Sequence, residues 1–154
     1  MGMLRHQSPT SKEQGVAAVE LAMVLPLFCI FLLGIFEIGG IARDHQVLQN
    51  AAREGARFAS LSTNRIEGLD PADVAAVQTT IKNRVISYLS SEKITVTAGD
   101  ISLDQAYPIT VGGLTIRGSK VVITYTRPLL FSGITKWVTP GTSVKGQAIF
   151  RNLY

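Results

Sequence analysis

The 154-residue chain has one cysteine, Cys29, so it cannot form an internal disulfide bond. It has two histidines, His6 and His45, and neither lies at metal-ligand spacing from a cysteine or a carboxylate. The sequence also lacks a glycine-rich phosphate loop followed by a helix, and a serine in a nucleophile-elbow motif. These absences predict no metal, no cofactor and no enzymatic activity.

Charged residues are few and dispersed. They make up 17% of the chain, below the ~25% of a typical soluble domain, and the mean hydropathy of +0.25 is high. The net charge of +4 comes from lysines and arginines that stand singly, with few aromatic side chains beside them to stack on bases. We therefore predict no nucleic-acid partner and expect a membrane segment instead.

The apolar residues lie together near the N-terminus. Residues 1–14 are polar and predict an unstructured leader. The segment behind them is long enough for a membrane helix, which needs ~20 mostly apolar residues. A membrane helix also tolerates the proline in this segment as a kink. We predict a transmembrane segment over about residues 16–38, surrounded by lipid and containing Leu21, Pro26 and Phe36.

Helical composition continues to residue 61 without another proline, and its polar side chains indicate a position outside the bilayer. Small residues recur on one face of this half at intervals of four, as Ala51, Ala52, Gly55, Ala56 and Ala59. Such a stripe lets another backbone approach closely. It packs either on the C-terminal domain of the same chain or on a neighbouring subunit. The predicted element is one long helix over residues 16–61.

Residues 62–154 predict an external α+β domain. Asp70 in the N-cap position and Pro71 in the first turn begin a second helix that runs to about Leu89. An antiparallel sheet of about four strands follows. We assign strands to residues 94–98 and 106–111, the latter as an edge strand because of Pro108. Residues 114–117 and 120–127 form a hairpin that turns at Gly118-Ser119. The last strand covers residues 142–150, and Trp137 lies in the connection before it.

Three features stand in order at the N-terminus: a polar leader that ends in Gly15, a carboxylate at Glu20, and an uninterrupted apolar helix. Residues 15–22 read Gly-Val-Ala-Ala-Val-Glu-Leu-Ala, residues 25–27 Leu-Pro-Leu, and residues 52–57 Ala-Arg-Glu-Gly-Ala-Arg. Over residues 14–60 the chain resembles type IV prepilins, in particular the TadE-like pseudopilin family of the tight-adherence (Tad) pilus. Leu21 is a departure, since many members have an aromatic residue there.

The resemblance implies a pilin-like fold and a minor pilin (pseudopilin) that acts in assembly of a Tad/Flp-type pilus. It implies a prepilin leader over residues 1–15, removed by a prepilin peptidase after Gly15, so that Val16 becomes the mature N-terminus. The implied partners are this peptidase, other pilins and pseudopilins, and the inner-membrane assembly platform. The implied location is the bacterial inner membrane, with the N-terminus cytoplasmic. Arg5 and Lys12, which precede the span, indicate the same orientation.

Glu20 has a physical interpretation of its own. A carboxylate close to the bilayer core is costly, so it indicates a function and needs a partner. We assign this partner to the α-amino group freed at Val16 of a neighbouring subunit, because a nearby cation restores the charge that desolvation disfavours. Such a pair would set the axial register between subunits. The alternative is that Glu20 lies at the membrane interface and marks only the end of the span.

Two other functions fit the same N-terminus. A conventional secretory signal peptide would be cut near the Gly39-Gly40-Ile41-Ala42 segment and would leave a mature chain that starts at Ala42 or Arg43. A single-pass membrane-anchored binding protein unrelated to pili would keep the span. It would be encoded away from a secretion ATPase, a prepilin peptidase and small pilin-like genes.

Overall fold

The computed structural model describes residues 11–129 and 141–153, with the side chains described from residue 15. The elements in chain order are α1 (Ser11–Ala59), α2 (Pro71–Ser91), β1 (Ile101–Val111), β2 (Leu114–Pro128) and β3 (Gly141–Arg151). Short 3₁₀ turns lie at Ser62–Asn64 and Ala98–Asp100. The chain divides into two compact units, one ending at Gly39 and the other beginning at Gly40. The predicted α+β class, with a long first helix, a second helix and a small antiparallel sheet, is confirmed.

The unit that ends at Gly39 consists, in its described part, of the first portion of α1. Every residue from 15 to 36 is exposed, and the large apolar side chains among them lie on all sides of the helix. A helix that is apolar all round is typical of a membrane span, whereas a helix on the surface of a soluble domain is apolar on one face. Its most apolar window has a mean hydropathy of 2.6. Length and composition therefore suit it to cross a membrane.

Helix α1 begins earlier and ends slightly earlier than predicted. Residues 11–14, which the sequence assigned to an unstructured leader, belong to the helix, and residues 60–61 do not. Pro26 lies inside it without ending it. The second helix begins at Pro71 after Asp70 in the N-cap position, as predicted, and ends at Ser91. It buries Ile81, Val85 and Leu89, which are four residues apart along one face.

The three strands pair antiparallel in the order β1-β2-β3. The β1–β2 turn is made by Gly112 and Gly113, whose φ angles of 57° and 83° are both in the left-handed region that a two-residue hairpin turn favours. The predicted turn at Gly118-Ser119 is wrong. Gly118 is instead a paired residue of β2, where an added Cβ would lie 2.8 Å from the carbonyl oxygen of Phe150 on β3.

The predicted strand over residues 94–98 is also wrong. Ile94 and Val96 are buried, but this segment pairs with no strand among the described residues. It leads into a turn in which the Thr97 backbone N–H and its Oγ1 donate to Asp100 Oδ2 at 2.8 and 2.7 Å. These hydrogen bonds, the backbone one first, lower the pKa of Asp100. The described sheet therefore has three strands and not about four.

The predicted edge strand and the predicted last strand are confirmed within β1 and β3. Pro108 is in β1, at the edge of the sheet. Residues 111 and 114 flank the two-residue turn, and backbone N–H groups alternate in direction along β1, so the backbone nitrogen of Pro108 points away from β2. Proline has no N–H, and at this position none is needed for pairing. Trp137 falls within residues 130–140, outside the described part of the chain.

The core of the second unit forms where α1 crosses the sheet and α2 packs beside it. Leu48 of α1 is fully buried, and an added Cβ at Gly146 of β3 would lie 2.4 Å from the Leu48 backbone carbonyl. Gly55 of α1 lies between Val85 of α2 and Val121 of β2. Glycine at residue 146 lets β3 approach the α1 backbone, and glycine at residue 55 leaves room for the Val85 and Val121 side chains.

Candidate functional site

The predicted cleavage and assembly residues lie together at the start of α1. Gly15, Val16 and Glu20 are all exposed, and an added Cβ at Gly15 would meet nothing within 4 Å. Val16 and Glu20 are four residues apart in a continuous helix, so they lie on the same face one turn apart.

The residues assigned to the membrane follow on the same helix. Leu21 is 63% and Phe36 68% exposed, and Pro26 lies between them. No described side chain of the protein covers the apolar surface from residue 15 to residue 36. A helix surface of this composition requires an apolar environment from outside the chain, which a bilayer or neighbouring apolar helices can supply.

The stripe of small residues lies in the second unit, and its members are all buried: Ala51, Ala52, Gly55, Ala56 and Ala59. Residues of α2 and β2 in the same chain occupy this face, with Val85 and Val121 against Gly55. Of the two packing partners that the sequence left open, the protein's own domain covers the stripe in this structure.

A buried ion pair, which sequence reasoning missed, lies near the start of the second unit. Asp44 is 4% exposed, and its Oδ2 accepts a hydrogen bond from Arg127 Nη1 of β2 at 2.5 Å. Arg43 reaches Asp44 Oδ1 at 3.4 Å and Glu92, just after α2, at 3.2 Å. Gly40 makes room for the Arg127 guanidinium, since an added Cβ there would lie 2.3 Å from Nη2. The sequence held one signal for this pair: Asp44 lies four residues before Leu48 and therefore on the buried face of the helix.

A second buried polar cluster holds the C-terminal end of α1. The carbonyl oxygens of Phe58 and Ala59 accept from Asn64 Nδ2 at 2.7 Å and from Gln105 Nε2 at 3.3 Å. The Ser60 carbonyl accepts from the Leu153 N–H at 3.0 Å. The last carbonyls of a helix have no partner within it, so these tertiary donors serve as its cap.

The same cluster extends into the sheet through Asn152. Its Nδ2 donates to the Gln105 carbonyl at 2.9 Å, and its Oδ1 accepts from Ser119 Oγ at 2.7 Å. All three residues are buried. Burial of Ser119 explains why this residue is not in a turn, and nothing local in the sequence indicates its partner at residue 152.

Within the residues that the structure describes, no three His, Cys, Asp or Glu side chains come together as a metal site. Helix α1 has an exposed apolar portion over residues 15–36 with one carboxylate, Glu20, and its later portion belongs to a globular unit.

Comparison with protein families places a match on this helix. Residues 15–57 match the family model TadE, described as TadE-like protein. Comparisons with curated proteins and with solved structures gave no match. The matched residues begin at Gly15 and end within α1, before α2 and the sheet. The resemblance stated from the sequence motifs is confirmed, and residues 15–57 are a TadE-like segment.

Proposed function

We propose that the protein is a minor pilin of a Tad/Flp-type pilus, made as a precursor and cut after Gly15 by a prepilin peptidase. TadE-like proteins are pilus-associated structural proteins, and this coarser association follows from the family match. In the proposal, residues 16–38 anchor the chain in the inner membrane, and residues 62–154 lie on the periplasmic or extracellular side. The partners are the peptidase, the other pilins and pseudopilins, and the assembly platform.

The position of the family match carries the proposal. The match begins at Gly15, the residue at which the polar leader was predicted to end. Behind it comes an exposed apolar helix with one carboxylate five residues after Gly15. A leader, a small residue, a carboxylate and a membrane-length helix in this order are the parts that a processed pilin subunit requires.

Cleavage requires a local change at the start of α1. The bond between Gly15 and Val16 lies in the second turn of the helix, which begins at Ser11. A peptidase that binds its substrate in an extended form can cut this bond only after the first turn of the helix has opened. Helix ends fray at low free-energy cost, and Gly15 lowers helix propensity at the required point.

The globular unit argues against a conventional signal peptide. A cut near residue 42 would fall within α1, next to a half-buried Ile41 that packs against the core. It would also leave the buried Asp44 at a new chain end, where the first turn of the shortened helix loses its hydrogen bonds. The TadE-like processing position leaves this part of the helix intact.

The cleavage step is tested by Gly15→Val with Gly34→Val as its matched control. Both glycines lie in α1 with nothing within 4 Å of an added Cβ, so neither valine disturbs packing within the chain. We expect wild type and Gly34→Val to yield mature protein that starts at Val16, and Gly15→Val to retain the leader. Intact mass and N-terminal sequencing of membrane-extracted protein measure this. Normal maturation of Gly15→Val, or a chain that starts at Ala42 or Arg43, would contradict the proposal.

The assembly step is tested at Glu20. We expect Glu20→Ala to be processed normally but to lower the yield of sheared pili by about tenfold, the effect of losing ~1.4 kcal/mol at one subunit contact. Glu20→Asp, which keeps the carboxylate, should lose less. Wild-type piliation by the alanine variant would show that the carboxylate does not pair with a neighbouring amine.

A further inference from the structure

A groove in the globular unit is lined by arginine and aromatic side chains. It lies between α1, α2 and β3 and has a volume of about 580 Å³. Helix α1 contributes Arg53 and Arg57, helix α2 contributes Arg84 and Tyr88, and β3 contributes Phe150. We refer to these five residues as the arginine groove.

The positive charge of the arginine groove is only partly compensated. Arg84 is engaged, because its Nε and Nη2 donate to Glu54 Oε1 at 3.1 and 2.8 Å and its guanidinium lies 4.9 Å from the centre of the Phe58 ring. Arg53 donates at 3.4 Å to Asn50 Oδ1, a neutral acceptor. The Arg57 guanidinium has no hydrogen bond or ion pair within the part of the chain that the structure describes.

Arg53 and Arg57 are arranged at a cost to the free protein. They are four residues apart on α1, and like charges at this spacing destabilise a helix by a few tenths of a kcal/mol. Arg84 holds the one carboxylate that lies between them in sequence. Glu54 also lines the groove, but it is engaged by Arg84, so the Arg53 and Arg57 guanidinium groups have no carboxylate partner among the described residues. A guanidinium group binds a carboxylate through paired N–H donors.

Two aromatic side chains also line the arginine groove. Phe150 remains 38% exposed near the end of β3, and Tyr88 is half-buried beside Ser87 on α2. A ligand that suits both the guanidinium groups and the aromatic rings carries carboxylates and, between them, an aromatic or aliphatic side chain. An aromatic side chain on the ligand can pack against the Phe150 ring while its neighbours bind the guanidinium groups.

We propose that the arginine groove binds an acidic peptide segment, with an apolar side chain within it, from a different protein. Charge complementarity disfavours a second copy of this chain, which carries a net charge of +4. A flat anionic bilayer would contact the exposed arginines but would not fill a recess that is also lined by aromatic side chains. The groove thus assigns the globular unit a partner surface of its own, which uses the later portion of α1 and not its exposed apolar portion over residues 15–36.

The experiment measures binding of a fluorescein-labelled peptide Glu-Glu-Leu-Phe-Glu-Glu to the full chain in neutral detergent by fluorescence anisotropy. Arg57→Glu is the test variant. Lys145→Glu is the matched control, because it makes the same charge change at an exposed position of β3 that does not line the groove. We expect saturable binding below about 1 mM, weakened at least about tenfold by Arg57→Glu and less than about twofold by Lys145→Glu.

A second variant, Phe150→Ser, separates the contribution of the aromatic ring to peptide binding from that of charge attraction. It should weaken the peptide severalfold and leave unchanged the binding of a Glu-Glu-Ser-Ser-Glu-Glu peptide, which lacks the apolar side chains. The proposal would be overturned if the peptide showed no saturable binding by about 1 mM or if both charge variants lost peptide affinity equally. It would also be overturned if Phe150→Ser had no effect on peptide affinity. So would an Arg57→Glu phenotype seen only with phosphatidylglycerol vesicles and not with the peptide.

Discussion

Replacement of Gly146 by alanine tests the most closely packed point of the globular unit. An added Cβ would lie 2.4 Å from both the carbonyl carbon and the carbonyl oxygen of Leu48, and 2.8 Å from its Cβ. Ordinary contact begins near 3.4 Å, so α1 and β3 must separate by ~1 Å. Backbone atoms within a helix cannot rotate away as the end of a long side chain can. The strain therefore spreads to the core around the fully buried Leu48.

The magnitude follows from two opposing effects. Overpacking a well-packed core costs about 1–3 kcal/mol, and the backbone contact puts Gly146→Ala in the upper part of that range. Alanine also restricts the unfolded chain, which returns about 0.4–1 kcal/mol. We expect a net loss of about 2 kcal/mol in the free energy of unfolding. For a unit of this size the midpoint temperature would fall by roughly 10 °C.

The assay is thermal unfolding of the full chain in detergent, followed by near-ultraviolet circular dichroism of its tyrosines. Gly99→Ala is the matched control, since the added Cβ would lie 3.6 Å from Thr97 Oγ1 and no positive φ is required there. If the free energies of unfolding of Gly146→Ala and Gly99→Ala differ by less than about 0.5 kcal/mol, α1 and β3 do not approach as closely as described.

Two further substitutions test the buried polar contacts. Asp44→Asn removes the carboxylate charge that faces the Arg127 guanidinium, which is 18% exposed as a side chain. It should lower the free energy of unfolding by about 1–3 kcal/mol, measured by urea denaturation, and no effect would place the pair in solvent. Asn152→Ala removes the acceptor of Ser119 Oγ and the donor to the Gln105 carbonyl. A loss of about 1–3 kcal/mol and faster amide hydrogen exchange at the end of α1 are expected, and unchanged exchange would separate this cluster from the helix cap.

The helices and the outer strands could be predicted from the sequence because their determinants are local. An apolar run, a stripe of small residues and the Asp70-Pro71 start define α1 and α2. The hairpin could not be located in this way, because Gly112-Gly113 and Gly118-Ser119 both have the composition of a two-residue turn. The choice between them depends on contacts with Phe150 and Asn152, far away in the sequence.

Alternation misled the strand assignment for a related reason. Ile94 and Val96 point into the core, as alternating residues of a strand would, but alternation reports burial on one side and not backbone pairing. The N-terminal segment was accessible to sequence reasoning because its motif is contiguous. The arginine groove and the Asp44–Arg127 pair were not, since each joins residues from separate elements.

The cap on the C-terminal end of α1 sets the order in which the fold can be completed. Helix α1 is synthesised first, but two hydrogen-bond donors at its end are synthesised later. The Ala59 carbonyl accepts from Gln105, and the Ser60 carbonyl accepts from the Leu153 N–H. Contacts this distant in sequence form late, because chain closure must precede them. Until residues 152–153 are made, the Ser60 carbonyl and the buried Ser119 hydroxyl lack their partners. A chain that lacks residues 152–153 would leave the buried Ser119 hydroxyl without its acceptor, so this end of the globular unit would open to proteases more readily.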